Sequence, residues 1–136
     1  MKVKFLFAFW LLLLFFCCSN NNDFPQGERI YDAYCAPCHM EEGQGLMGLY
    51  PPLAKSDYLA AHHDELACII RHGLQDTIVV NGTTYEIPML PITSLNEVQI
   101  TNVINYISHA WGNDAGYTRI PDVKETLSSC KPLNYE

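Results

Sequence analysis

Much of the chemistry in this chain is concentrated in six residues, Cys35-Ala36-Pro37-Cys38-His39-Met40. Two thiols separated by two residues can clip a metal ion, form a redox pair, or each add to a vinyl group of a haem. The imidazole that follows at once discriminates among these. Zinc would need two further ligands with a spacing of their own, and no second Cys/His pair follows. A thioredoxin-type pair sits between a strand and a helix. Here a helical pattern comes first, with Ile30, Tyr31 and Tyr34 at helical spacing. In Cys-X-X-Cys-His both thiols form thioethers while the histidine reaches the iron as proximal ligand. The pattern predicts one covalent haem c on Cys35 and Cys38, its iron held by His39.

The iron then needs a sixth ligand or keeps an open position. His62, His63, His72 and His109 fall at expected helix ends or off an apolar stripe, and read as surface residues. Met40 adjoins His39 and cannot reach the opposite haem face, while Met47 lies in a Gly-rich loop. Met89 stands in "EIPMLPIT", where Pro88 and Pro91 stiffen the segment. A lone Met is usually a core gap-filler. In a proline-flanked loop 50 residues after His39 it is the candidate distal ligand. Arg71 has two readings: a partner for a haem carboxylate, which suits a guanidinium, or a solvated charge at a helix C-terminus. Trp111 ends an apolar stripe and reads as core.

The elements that position these residues follow from pattern. "GERIYDAYCAPCH" reads as a helix from Gly27, limited by Pro37. Three glycines and Pro51-Pro52 make the next stretch a loop. Ser56 caps a short helix over Asp57–Ala61, and "HHDELACIIRHG" reads as a second helix ended by Gly73. Asn81-Gly82 between β-branched residues predicts a two-stranded hairpin. Ser94 with Glu97 reads as the capping box of a final helix, whose stripe is Ile100, Val103, Ile104, Ile107 and Trp111. A single turn of helix is expected around Val123–Leu127.

The 136 residues suit one domain behind a removable leader. Residues 1–17 have two lysines, then an apolar run from Phe5 to Phe16, and describe an export signal. That run is short for a membrane span, which needs about 20 apolar residues. Cys17 and Cys18 close it, in a layout resembling a bacterial lipoprotein signal with Cys18 as the lipidated residue. A plain secretory signal is the other reading. Residues 18–26 are a polar tether, 27–112 the domain, and 113–136 an extension packed on it. Cleavage removes Lys2 and Lys4, taking eight basic side chains to six against 15 acidic ones, a balance of −9. Such a surface repels nucleic acid and steers a basic partner. Of the four cysteines past the signal, two are used by haem. Cys68 and Cys130 remain, and an oxidising compartment predicts that they pair.

The order of parts resembles class I cytochrome c over residues 27–112: the Cys35–His39 motif after a helix, a Gly-rich loop, "YPPLA", a middle helix, a Met loop and a final aromatic helix. "YPPLAKSD", "RHGL", "VNGTTYEIPM" and "AWGN" resemble, more narrowly, the small periplasmic cytochromes of respiratory chains. The resemblance implies a mainly α fold whose helices wrap one haem, with a small β-hairpin before the Met loop. It implies Pro51 as the carbonyl that orients the proximal ring, and Gly27, Tyr31 and Tyr106 at the crossing of first and last helices. Leu90 departs from the family's Met-Pro pair. The implied function is single-electron shuttling, without catalysis, on the periplasmic face of a membrane. The redox partners would be a respiratory dehydrogenase, reductase or terminal oxidase with a basic docking surface. The competing class is a haem enzyme or gas sensor, peroxidase-like, with a displaceable Met89.

Overall fold

The computed structural model describes residues 23–130. It is mainly helical, with one small antiparallel sheet. Helix α1 spans Pro25–Tyr34. It starts two residues before the expected Gly27, because Pro25 has a fixed φ suited to a first helical turn. A separate turn, α2 (Ala36–His39), follows Cys35. Pro37 lies in the first turn of α2, where its missing N–H costs nothing. It therefore opens the second helix as well as limiting the first.

After a loop come α3 (Asp57–Ala61), capped by the Ser56 hydroxyl, and α4 (Leu66–His72). The expected middle helix is shorter than its pattern, since His63–Glu65 form a 3₁₀ turn. His62 leaves helical geometry, and its ring stacks on Tyr58 at a separation of 3.8 Å. Strands β1 (Ile78–Val80) and β2 (Thr83–Tyr85) pair with Ile78 opposite Tyr85. Asn81 and Gly82 both adopt positive φ in the turn between them.

Helix α5 spans Glu97–His109. Its capping box is Asn96 with Gln99, two residues beyond the expected Ser94 and Glu97. The reason is burial: this register makes Leu95 the residue before the cap and Ile100 the fourth helical residue, and both enter the core as a hydrophobic staple. The tail forms a full helix, α6 (Ile120–Ser129), where a single turn was expected. Pro121 sits in its first turn, and Asp122 accepts from the Arg119 backbone N–H to cap it.

The core forms where α1 crosses α5. Close approach depends on Gly27, because a Cβ there would collide with the Asn102 carbonyl and Tyr106 Cβ. Tyr31 and Tyr106 rings fill the crossing at 5.4 Å, with Trp111 against both. Val123 carries α6 into the same core, so the tail has no separate one. A disulfide joins Cys68 on α4 to Cys130 beyond α6, with Cα atoms 6.0 Å apart. Residues 1–22, which include the expected signal and Cys18, lie outside the described residues. Among the described residues no helix is long and apolar enough to cross a membrane.

Candidate functional site

Cys35, Cys38 and His39 share one helical turn, with Cys38 and His39 N–H both donating to the Cys35 carbonyl, at 3.1 and 2.8 Å. Cys35 faces inward and Cys38 is exposed. Burial, and secondarily the Cys38 thiol, push the Cys35 thiol up to about 12. The free Cys35 thiol is therefore uncharged at neutral pH. Among the described residues, no three His, Cys, Asp or Glu side chains converge as a metal ion held by side chains alone would require.

The His39 ring is buried, and burial holds its pKa below the usual value against the opposing effect of its hydrogen bond to Pro51. Nδ1 lies 2.9 Å from the Pro51 carbonyl oxygen. A carbonyl can only accept, so Nδ1 donates and Nε2 keeps its lone pair, the form a metal ion takes. The loop reaches the ring through Gly45, whose N–H donates to the His39 carbonyl at 2.9 Å. Gly45 has φ +64°, and a Cβ would meet the Tyr50 and Pro51 carbonyls. Beyond His39, Met40 adopts φ 64°, unusual for a side-chain-bearing residue, and its carbonyl accepts from the Tyr31 hydroxyl at 2.6 Å. Gly45 and the Tyr31 hydroxyl are functional supports that sequence reasoning missed. Gly45 read only as part of a loop, and the hydroxyl carried no local signal.

Met89 lies outside any helix, partly buried against the core, and pairs with Leu74 as an isolated antiparallel bridge. Met47 is 89% exposed. The four other histidines are engaged elsewhere. His62 and His109 bond backbone carbonyls four residues back, His63 approaches the Thr118 hydroxyl, and His72 has an interaction of its own. Arg71 is committed more heavily than either of its two readings required. Nη1 donates to the Thr93 carbonyl at 3.2 Å and Nη2 to the Leu95 carbonyl at 2.7 Å. Nε is buried and has no hydrogen-bond partner among the described residues. An orphaned buried donor of this kind fits an acidic group that the protein alone does not supply.

A helical turn with two thiols and an imidazole freed at Nε2 is the donor set that covalent haem attachment needs. Residues 22–107 match the family model described as cytochrome c oxidase, cbb3-type, subunit III. Cytochrome c-552 of Thermus thermophilus is 38% identical over 91 residues, covering 64% of this chain and 69% of that protein. The cytochrome c-552 of a further strain of that species is equally similar, with 61% of its length covered. The cytochrome c subunit of the quinone alcohol dehydrogenase of Gluconacetobacter polyoxogenes is 29% identical over 112 residues, covering 79% of this chain but only 24% of that subunit. The chain belongs to the cytochrome c family, as a class I c-type cytochrome with one covalently bound haem c. Electron transfer is the function that family membership implies.

Proposed function

We propose that this protein is a membrane-anchored, periplasmic electron carrier whose helices wrap a haem ligated by His39 and Met89. The observation that carries the reading is the His39–Pro51 hydrogen bond, which frees Nε2 within the Cys35–His39 turn. Cys35 and Cys38 would hold the haem as thioethers, and the Arg71 Nε–H would donate to one of its carboxylates. Bound haem supplies a one-electron iron couple that changes oxidation state with little rearrangement. Two side-chain ligands leave no position for dioxygen or peroxide, which suits a carrier better than a haem enzyme. Cys38, exposed where Cys35 is buried, puts one thioether at the surface, where electrons can leave.

The partners would be respiratory dehydrogenases, reductases or oxidases with a basic docking face. A groove of about 810 Å³ between α1, α2 and the end of α5 is lined by Asp23, Glu28, Asp32, Glu41 and Glu42. None of these carboxylates is in an ion pair among the described residues. Their field favours a basic partner and weakens with salt. Cys18 carries the lipid in this reading, and residues 18–26, 27–112 and 113–136 are tether, electron-transfer domain and stapled extension.

The test is made on protein matured in cells competent for covalent haem attachment. Haem stain should survive denaturing electrophoresis. The ferric protein should show the weak sulfur-to-iron charge-transfer band, and Met89→Ala should abolish it and admit carbon monoxide to the ferrous form. Ready carbon monoxide binding by the wild type would favour the enzyme or sensor class. Loss of the band in Met47→Ala instead would move the ligand to the other loop. Replacing Cys17 and Cys18 together by Ser should release the protein from membranes or block its processing, and unchanged association would refute the anchor.

A further inference from the structure

Met89 sits in a segment that no helix or long strand holds, and its flanking prolines contribute no donors. What grips the segment is the end of α4. The Met89 N–H donates to the Leu74 carbonyl at 2.8 Å, and Leu74 N–H returns a bond to the Met89 carbonyl at 2.9 Å. The Ile92 N–H donates to the Ile70 carbonyl at 2.9 Å. The Arg71 fork then closes on the Thr93 and Leu95 carbonyls. Five hydrogen bonds thus tie residues 70–74 to residues 89–95.

We propose that Arg71 is a positioning residue for Met89, locking the loop onto α4 and the start of α5. The inference rests on the reading of Met89 as distal ligand. A charged donor makes stronger hydrogen bonds than a neutral one, and these two lie beside an almost fully buried Leu95. The planar fork reaches two carbonyls two residues apart, which a lysine ammonium cannot match in geometry. Arg71 also stands in the last turn of α4, where its charge complements the helix dipole, and Gly73 with φ 80° ends the helix there. Leu95 directly precedes the Asn96 cap, so the same guanidinium links the Met89 segment to the first turn of α5. Without it, two bridge bonds and the Ile92 bond remain to hold the loop against exchange with solvent.

The experiment compares wild type, Arg71→Ala, Arg71→Lys and Met89→Ala as haem-loaded, full-length protein. Three readouts are used: the ferric charge-transfer band, the rate of carbon monoxide binding to the ferrous form, and amide hydrogen exchange at Met89 and Ile92. In Arg71→Ala, carbon monoxide binding and exchange at both amides should accelerate at least about tenfold, while α1 amides stay within about twofold. Arg71→Lys, which keeps the charge and the stem, should fall between and serves if the alanine variant does not fold. Unchanged exchange and carbon monoxide rates overturn the proposal. A shifted reduction potential with those rates unchanged also overturns it, leaving Arg71 as a contact to a haem carboxylate alone. Should the wild type lack a band that Met89→Ala removes, the distal-Met reading fails. Amide exchange then decides by itself whether Arg71 holds the segment.

Discussion

At the scale of single residues, the site is built from side chains that free or aim another group. Gly45 brings the Pro51 carbonyl onto the His39 ring, and it does so at φ +64° with no room for a Cβ. Gly45→Ala should destabilise the folded chain by about 1–3 kcal/mol and loosen the His39 ring. Denaturant melts and the ring-proton shifts of His39 would record both, and an unaltered melt would contradict the role given to Gly45. Tyr31→Phe removes the donor to the Met40 carbonyl, at an expected cost of about 1–2 kcal/mol. That Cys35, Cys38 and His39 share one turn was legible in the sequence, because adjacency on the chain is adjacency in a helical turn. Pro51 came through resemblance. The Arg71 hydrogen bonds could not be read, because their acceptors are backbone carbonyls more than 20 residues away, and carbonyls carry no sequence signature.

At the scale of elements, a glycine and a cap decide how the helices meet. Gly27→Ala would drive a methyl into the Asn102 carbonyl, and about 1–3 kcal/mol should be lost as α1 moves off α5. Asn96→Ala should cost about 1 kcal/mol through the lost bond to the Gln99 N–H, whereas Ser94→Ala should be near neutral. Equal effects of the two in thermal melts would contradict the register described for α5. Ser94 is the cap expected from sequence, yet S-x-x-E and N-x-x-Q are both good boxes locally. Only the burial of Leu95 and Ile100 selects between them, and burial is a tertiary property. The hairpin was legible because Asn-Gly fixes its own turn. The full length of α6 was not, since its support comes from Val123 reaching a core built by distant residues.

The whole molecule carries an alkaline limit and a covalent clasp. Burial, then Glu28, Asp32 and Glu42, raise the Tyr106 hydroxyl from its ordinary 10.0 to about 12. The folded state therefore keeps a proton that the unfolded chain has already lost. Stability should be full below pH 10 and fall between pH 10 and about 12, a decline that Tyr106→Phe should reduce in urea melts across that range. The clasp between Cys68 and Cys130 closes a separation of 62 residues, for which chain entropy gives about 4 kcal/mol at most. Its loss in the Cys68→Ser/Cys130→Ser double variant should lower the melting point without altering the haem spectrum. The clasp also sets a sorting problem during assembly. With haem attached as proposed, one polypeptide must finish with Cys68 and Cys130 oxidised together and Cys35 and Cys38 kept as thiols until attachment. Cys130→Ser alone leaves Cys68 without its mate, free to capture Cys35 or Cys38 in the unfolded chain. Haem incorporation should then fall further in that single variant than in the double one, although neither Cys68 nor Cys130 belongs to the Cys35–His39 turn.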